Sequence, residues 1–415
     1  MKRLFCSFIF PIGVFIHPAV SAAEVDPLAN PPTAAFEGQT GAPVVDNVSD
    51  FNMEVVVSDL ARPRSLEVLP DGSLLVAEGG GTLTVISPDG SSREVRGVPT
   101  VRSVDDRGLT DIALAPDFAE SRIIYLGYTA PPPGDRRGAV SPEVRSQALA
   151  NGEVFSVDTI ARARLSDNNR RLRNVEVIAE LPSRRLLPAS DGSLYISTVG
   201  AGGNRPQIQK LNTYIGKVLR INGDGSIPED NPYYGHSLVS QEIFSVGHRD
   251  PDGMMIHPNT GEVWMVEHGP MGGDEINRIL PGKNYGWPII TYGKNYDGTE
   301  IGKSARTGME QPLHYWFPSR ALSGLMMYTG TQFPQWQNNI FIGTMSPTQG
   351  KFMMRLVMDD NGDKVQQIEH LLVDHDRRVR DIAQGLNGEV FVLTDSENNT
   401  DLERVFPGEV LRLTP

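Results

Sequence analysis

The sequence predicts an all-β protein, a six-bladed β-propeller of four-stranded antiparallel blades over residues 51–415. A Pro-, Asp- or Gly-containing turn followed by a short β-rich run recurs six times, and almost no segment has helical periodicity. The alternative is an array of β-sandwiches joined by ordinary Asp-Gly hairpins. In a propeller, each run would be an innermost strand whose small or β-branched residues face the axis. The six runs follow Pro70, Pro116, Asp191, Pro258, Pro334 and Asn387.

The first 23 residues have the features of a secretory signal peptide. Two basic residues precede an apolar run, and Ser21-Ala22-Ala23 forms a small-residue cleavage site. No later apolar run is long enough to span a bilayer, which predicts a periplasmic or secreted protein without membrane insertion. Residues 24–50 are rich in Pro, Ala, Gly and Asp without periodicity, and they are interpreted as a flexible leader.

Cysteine content and charge exclude several classes of function. The single cysteine, Cys6, lies in the signal peptide, so disulfides, thiol catalysis and Cys-ligated zinc are excluded from the mature chain. Removing Lys2 and Arg3 leaves 36 basic residues against 51 acidic ones, a net charge of −15. Such a surface repels nucleic acid and anionic lipid and suits a protein that binds cations.

Two long loops interrupt the repeating pattern. Residues 131–152 begin with a Pro-Pro-Pro-Gly run and form a polar insertion, and residues 292–311 form a second long segment. Loops of a propeller that gather on one face commonly build its binding site.

The segment 242–288 concentrates the residues that suit a site. It contains a His-Arg-Asp turn, a Glu-His-Gly-Pro turn, a Gly-Gly-Asp-Glu step and an Asn-Tyr-Gly-Trp-Pro turn. Such turns fix backbone carbonyls and carboxylates in the arrangement that calcium requires. Arg249 adds a planar cation for a carboxylate-bearing ligand.

Several segments, in one order along the chain, resemble the soluble aldose sugar dehydrogenases, or glucose/sorbosone dehydrogenase family. They are residues 108–118, 216–222, 224–232, 242–288, 318–324, 333–336 and 378–382. The resemblance implies a six-bladed propeller that uses pyrroloquinoline quinone (PQQ) and calcium to oxidise an aldose or another alcohol. It also implies an external electron acceptor, and we expect a monomer or a homodimer.

The resemblance also assigns residues to the cofactor. Arg378 and Arg380 alternate along one predicted strand, so they share a face, and they would hold the carboxylates of PQQ. Arg249 would lie beside the quinone, with Asp250 next to it as the second catalytic candidate, where the family has asparagine. Asp106 stands where the family has a glutamine near the cofactor.

Two calcium sites follow from the same resemblance. The Gly269 and Pro270 carbonyls would bind an ion that bridges to the cofactor and polarises the quinone. Glu275 and the Tyr285 backbone, with Asp274 as a further candidate ligand, would bind a second, structural calcium. The alternative for Asp274 and Glu275 is that they cap a turn.

The chain also departs from the family. The general-base histidine of the motif His-(Phe or Asn)-Gly-Gly-Arg is replaced by Leu181 in the segment Leu-Pro-Ser-Arg-Arg, and loss of a general base costs ~10²–10⁴-fold in rate. Ala201 and Ser346 stand where the family has aspartate and lysine, although Lys351 follows closely. The residues that could substitute as base are His248, His257, His268, His314, His375, Asp106 and Asp250.

The sequence therefore leaves two main functions open. One is a PQQ-dependent dehydrogenase, and the other is a catalytically impaired propeller that acts as a calcium-stabilised binding module. A third, a calcium-dependent hydrolase of the lactonase kind, has no distinct motif in this chain.

Overall fold

The computed structural model describes residues 31–104, 107–202, 205–395 and 407–415, together with the backbone of 397–399 and 404–406. The predicted signal peptide, residues 24–30 of the predicted leader, and Asp106 lie outside the described residues.

The strands form six blades of four antiparallel strands, one of which gains a fifth, parallel strand, so the predicted six-bladed β-propeller is confirmed. Two N-terminal strands come first, β1 (Val44–Asp46) and β2 (Asn52–Leu60). Blade one contains β3 (Pro63–Val68), β4 (Leu74–Glu78), β5 (Thr82–Ile86) and β6 (Ser92–Glu94). Blade two contains β7 (Leu109–Leu114), β8 (Ile123–Ala130), β9 (Val157–Leu165) and β10 (Leu172–Ala179). Blade three contains β11 (Leu186–Pro188), β12 (Ser193–Ser197), β13 (Lys217–Asn222) and β14 (Ile243–Val246).

The remaining blades follow the same plan. Blade four contains β15 (Pro251–Ile256), β16 (Val263–Glu267), β17 (Asp274–Ile279) and β18 (His314–Trp316). Blade five contains β19 (Leu322–Met327), β20 (Ile340–Thr344), β21 (Met353–Met358) and β22 (Val365–Leu371). Blade six contains β23 (Val379–Gln384), β24 (Val390–Thr394) and β27 (Gly408–Thr414), with β2 as its fourth strand. The hairpin of β25 (Glu397–Asn399) and β26 (Arg404–Phe406) lies between β24 and β27 in the chain. The helices are α1 (Phe118–Ser121), α2 (Pro142–Ala150) and α3 (Arg205–Ile208), with 3₁₀ turns at Pro334–Trp336 and Val373–His375.

The first strands of the blades form the wall of the central axis. Neighbouring first strands contact one another around the ring, from β3 through β7, β11, β15, β19 and β23 back to β3. The N-terminal strand β2 pairs with β27 as the outer strand of blade six. The ring is thereby closed by joining the two ends of the chain in one sheet.

The recurring runs are the second strands of the blades, so their prediction as innermost strands is wrong. All five residues are buried in each of β4, β12, β16, β20 and β24. A second strand is covered on both faces by neighbouring blades, which produces the continuous apolar run that stands out in a sequence. The first strands carry charged residues toward the axis and give a weaker signal.

The described part of the predicted flexible leader packs against the propeller. Strand β1 pairs in parallel with β22 as a fifth strand of blade five. The fully buried Gln39 side chain accepts from Tyr292 Oη at 2.9 Å and donates to the Pro312 carbonyl at 3.0 Å. This packed segment differs from the flexible leader that the sequence predicts, because its apolar and amide groups find partners in blades four and five.

The two predicted insertions differ in structure. Residues 131–152 contain the exposed helix α2, which has no buried residue. Residues 292–311 return to blade four, where the Tyr292 ring stacks on Tyr315 with centroids 3.8 Å apart. None of the described helices is long and apolar enough to cross a membrane.

One end of the axis carries most of the described site candidates. Strands alternate in direction within a blade, so two kinds of connection reach the same end. One kind joins the outer strand of a blade to the first strand of the next, and the other joins a second strand to a third. We call this end the site face. It carries residues 180–185, 247–250, 268–273, 317–321, 345–352 and 372–378.

Candidate functional site

Arg249 lies on the site face, in the connection between blades three and four. Its Nη1 donates to the carbonyl oxygens of His268 at 2.8 Å and of Gly269 at 3.0 Å. Its guanidinium lies 5.6 Å from the centroid of the Trp287 ring. The structure therefore brings Arg249 against the Gly269-Pro270 turn that the sequence predicts as a calcium loop.

Two glutamates face each other below this turn. Glu267 and Glu275 are directly opposed partners in the β16–β17 ladder, where like charges destabilise a sheet unless a cation intervenes. Asn277 Nδ2 donates to both, at 3.3 Å and 3.1 Å. Burial, followed by the charge of Glu267, raises the pKa of Glu275 well above its usual range. The pair is thus rich in oxygen ligands and poor in compensating charge.

A cavity collects these groups, and we call it the glutamate cavity. Its wall is formed by Gly247, Arg249, Glu267, His268, Gly269, Gly273, Glu275, Tyr285, Trp287, Ile290 and Thr291. The structure therefore brings together five of the residues predicted from the sequence, namely Arg249, His268, Gly269, Glu275 and Tyr285.

Asp274 does not belong to this cavity. Its carboxylate accepts hydrogen bonds from the backbone N–H groups of Gly269 at 2.9 Å, Arg320 at 2.6 Å and Ala321 at 2.7 Å. The Ser319 hydroxyl donates a fourth bond at 2.7 Å. A carboxylate occupied by four donors has little capacity left for a cation, and the calcium role of Asp274 stays a prediction. In this structure Asp274 ties the Gly269-Pro270 turn to the start of blade five.

A second cavity lies at the mouth of the axis, and we call it the arginine cavity. Its wall is formed by Arg64, Thr110, Arg184, Arg185, Asp252 and Arg380. Of the residues predicted from the sequence, only Arg380 is among them. Arg64, Arg184 and Asp252 escaped the sequence prediction, although a charged residue near the start of a strand that faces the axis was an available signal.

The two predicted cofactor arginines lie together. Arg380 Nη2 donates to Asp395 Oδ2 at 2.6 Å, and Arg378 Nη1 lies 3.7 Å from the same oxygen. Arg380 Nη1 donates to Asp252 Oδ2 at 3.3 Å. Asp252 also accepts a two-point fork from Arg184, with Nε to Oδ1 at 2.8 Å and Nη2 to Oδ2 at 3.2 Å. Two guanidinium groups therefore share one buried carboxylate.

The two cavities meet at His268. Its Nε2 lies 3.8 Å from Asp252 Oδ2, in the arginine cavity, and its Nδ1 lies 3.8 Å from Asp250 Oδ2. His268 Nε2 also hydrogen-bonds the Leu322 carbonyl. Since a carbonyl only accepts, Nε2 carries the hydrogen, and the Nδ1 edge is the one directed toward Asp250.

The other histidines considered from the sequence lie elsewhere or are fully engaged. His248 is fully buried between Ser245 Oγ at 2.8 Å and Glu267 Oε1 at 3.1 Å. Burial lowers the pKa of His314 to about 4. His257 lines a groove formed by the opposite connections of blades four and five. His375 contacts Glu409 at 3.2 Å. Of the five histidines considered from the sequence, only His268 adjoins both cavities.

Two departures from the family motif also lie at the site. Gly200, which precedes Ala201, donates its N–H to the Arg249 carbonyl at 2.6 Å. A Cβ at Gly200 would lie 2.3 Å from the His248 carbonyl oxygen, so only glycine fits this approach. Ser346 lines a neighbouring groove with Pro270 and Tyr296.

Leu181 is not directed into either cavity. It is buried in the apolar cluster between blades two and three, with Leu186, Ile196 and Tyr125. The position that the family motif predicts for the general base is therefore part of the core in this chain.

We accordingly predict that Leu181→His destabilises the protein and does not raise any dehydrogenase activity. An imidazole placed among apolar side chains loses both packing and hydration, which costs roughly 2–4 kcal/mol of unfolding free energy. Urea unfolding of the variant and of Leu181→Met, which preserves volume, measures this difference. A variant as stable as Leu181→Met, with increased turnover, would show that the side chain reaches the site.

The fold and the site define a six-bladed propeller with an acidic and a basic cavity that meet on one face. The chain belongs to the glucose/sorbosone dehydrogenase family, whose family model matches residues 60–404. The resemblance found in the sequence is thereby confirmed.

Individual relatives support this assignment. The chain is 36% identical to aldose sugar dehydrogenase YliI of Escherichia coli over 378 residues, which cover 88% of this chain and 93% of that protein. The crystal structure of the soluble aldose sugar dehydrogenase of Escherichia coli in the apo-form aligns with a TM-score of 0.75 at 34% identity, covering 88% and 100% of the two chains. Quinoprotein glucose dehydrogenase B of Acinetobacter calcoaceticus is 32% identical over 279 residues, which cover 60% of this chain and 55% of that protein.

Proposed function

We propose that the protein is an exported PQQ- and calcium-dependent dehydrogenase that oxidises an aldose sugar or another alcohol. The observation that carries this proposal is the convergence of Arg249, Arg378 and Arg380 with the Gly269-Pro270 turn on one face of the propeller. The family relatives are sugar dehydrogenases, and one is named a quinoprotein. Export is supported by the charge and apolar pattern of residues 1–23.

The donor set of the site fits the proposed cofactor. Arg378 and Arg380 present guanidinium groups around Asp395, and planar guanidinium forks suit the carboxylates of PQQ. Arg249 lies across the site beside Trp287, where a planar ring could be held. When bound, PQQ supplies the two-electron acceptor that no side chain of this protein provides.

Calcium is proposed for the glutamate cavity. The opposed carboxylates of Glu267 and Glu275 would supply side-chain oxygens, and the Tyr285 backbone lines the same cavity. Among the described residues, no group of three or more histidine, aspartate or glutamate side chains is arranged to hold a metal. Backbone oxygens and water would therefore complete the six to eight ligands that calcium takes. The Gly269 and Pro270 carbonyls are the proposed ligands of the bridging ion.

The chain's own residues would position the substrate and take its proton. Oxidation of an alcohol removes a hydride from carbon and a proton from the hydroxyl oxygen. Asp250 and His268 are the groups beside Arg249 that can accept this proton. Asp252 is a poor acceptor, because burial of its carboxylate is outweighed by the charges of Arg184 and Arg380, which hold its pKa far below the usual range.

A binding module without turnover is the second candidate. It is favoured by the burial of Leu181 in the core and by the internal partners of Arg249 and Arg380, which are satisfied by carbonyls and carboxylates of the protein itself. Such a protein would keep the propeller and a cation without needing the cofactor.

Titration of the purified protein with PQQ in calcium tests the proposal. We expect saturable binding, measured by changes in quinone absorbance, and dye reduction with at least one sugar.

We expect Arg380→Met to weaken PQQ binding at least tenfold, because it removes a charge-assisted fork. The exposed Arg137, whose side chain pairs with Asp135, provides the matched control Arg137→Gln. Saturable binding without turnover would favour the binding module, and absence of binding would refute the cofactor assignment.

A further inference from the structure

The wall of the arginine cavity carries more positive than negative side chains. Among the described residues it contains four guanidinium groups and one carboxylate, that of Asp252. Arg185 has carboxylate partners outside the wall, at 3.1 Å from Asp381 Oδ2 and 3.5 Å from Asp111 Oδ1. Arg380 likewise has Asp395 outside the wall, at 2.6 Å from its Nη2, so Arg64 and Arg184 are the guanidinium groups that share the wall with the single carboxylate of Asp252.

Crowding of these charges is visible in Arg64. Burial, and then the charges of Arg380 and Arg184, lower the pKa of Arg64 to about 10. The side chain of Arg64 packs against Gly79, where a Cβ would lie 3.1 Å from its Nε. An anion that entered the cavity would relieve the repulsion among these cations.

Arg184 is partly exposed in this cavity. Its side chain is 23% exposed, whereas its partner Asp252 is 3% exposed and keeps Arg380 as a second partner. Arg184 stands at the second glycine of the family motif, so its charge is additional to the arginines assigned to the cofactor. Arg64 and Arg184 come from blades one and three, while Arg378 and Arg380 come from blade six.

We infer that Arg64 and Arg184 form a subsite for a substrate carboxylate, so that the preferred substrate is an acidic sugar such as an aldonic or uronic acid. This inference rests on the proposed function, because it places the sugar beside the cofactor arginine Arg380. The hydroxyl to be oxidised would then point toward Asp250 and His268, at the junction of the two cavities.

A carboxylate of PQQ could also bind at Arg64 and Arg184. Two separate measurements distinguish a substrate carboxylate from a carboxylate of the cofactor. The first is calorimetric binding of glucuronate, gluconate and glucose to the calcium-loaded protein without PQQ. The second is PQQ binding without sugar. We expect the acids to bind at least tenfold more tightly than glucose, because a carboxylate between two guanidinium groups forms charge-assisted hydrogen bonds.

The variants Arg184→Gln and Arg64→Gln test the subsite directly. Each is expected to weaken binding of the acids about tenfold, with glucose and PQQ affinities changed less than threefold. Arg184→Lys, which keeps the charge, should retain most of the affinity for the acids. Arg137→Gln, on the exposed Asp135 pair, should leave all three affinities unchanged. Thermal unfolding of each variant identifies any that is not folded, and the remaining variant then decides.

Four results are decisive. Equal binding of acids and glucose, or acid binding unaffected in both glutamine variants, overturns the inference. Loss of PQQ affinity with unchanged acid affinity also overturns it, since the carboxylate would then be that of the cofactor. If the wild type binds the acids through Arg64 and Arg184 but never binds PQQ, the subsite stands and the proposed dehydrogenase function fails.

Discussion

Replacing Arg185 with methionine is expected to lower the free energy of unfolding by about 3–5 kcal/mol, the cost of leaving buried charges without their partner. The Arg185 guanidinium joins the first strands of other blades across the axis. Its Nε donates to the Asp252 carbonyl at 2.7 Å, and its Nη2 donates to the Arg380 carbonyl at 3.1 Å. Its Nη1 contacts the carboxylates of Asp381 and Asp111.

Methionine fills much of the same volume but donates no hydrogen bond. Asp111 and Asp381 would then face each other without a cation, and two backbone carbonyls would lose their donor. Burial already raises the pKa of Asp111 to about 7, against the lowering effect of Arg185. Removing that cation therefore strengthens the repulsion and the desolvation penalty together.

Chemical denaturation of the wild type and the variant measures this loss. Arg137→Met is the matched control, since the Arg137 side chain is 66% exposed, and a change below about 0.5 kcal/mol is expected there. A loss below about 1 kcal/mol for the Arg185 variant would mean that the inner ring is held by packing alone. Arg185, which ends the family motif, would then have a role other than joining the blades.

The fold could be predicted because two signals reinforced each other. Turns such as Asp191-Gly192 mark the hairpin between the first and second strands, and the second strand that follows is uniformly apolar. The sequence misplaced these runs at the axis, because burial on both faces looks the same beside the axis or between blades. The packing of residues 34–50 could not be predicted, since the partners of Gln39 lie far along the chain, at Tyr292 and Pro312.

The site was predictable where it depends on local turns. Arg249, Gly269, Glu275 and Tyr285 fall within one dense segment, and they line one cavity. The backbone donors that occupy the Asp274 carboxylate could not be recognised in the sequence.

The arginine cavity was largely missed for a different reason. Its wall combines Arg64, Arg184 and Asp252 from blades one, three and four, and no local spacing links them. Leu181 was aligned with a catalytic histidine although its side chain packs into the core. A substitution at a motif position does not establish that the side chain still faces the site.

Glu67→Gln is expected to stabilise the protein at alkaline pH and to have little effect near pH 4. Burial, followed by the charges of Asp111 and Asp381, raises the pKa of Glu67 from 4.5 to about 8. Between these values the unfolded chain releases a proton that the folded protein retains. The stability of the folded state is therefore lost progressively as pH rises through about 8, and glutamine removes this loss.

The gain at pH 8.5 should be roughly 2–4 kcal/mol, since each pKa unit corresponds to about 1.4 kcal/mol and Glu67 is only partly buried. Urea unfolding of both proteins at pH 4.5 and 8.5 measures it. The variant Asp252→Asn should have the opposite effect and lower the free energy of unfolding, because Asp252 keeps its charge with Arg184 and Arg380 in the folded state. Its loss of stability should be largest at neutral pH and shrink on acidification. Parallel pH profiles for wild type and Glu67→Gln would mean that water reaches Glu67 through the axis and keeps it ionised.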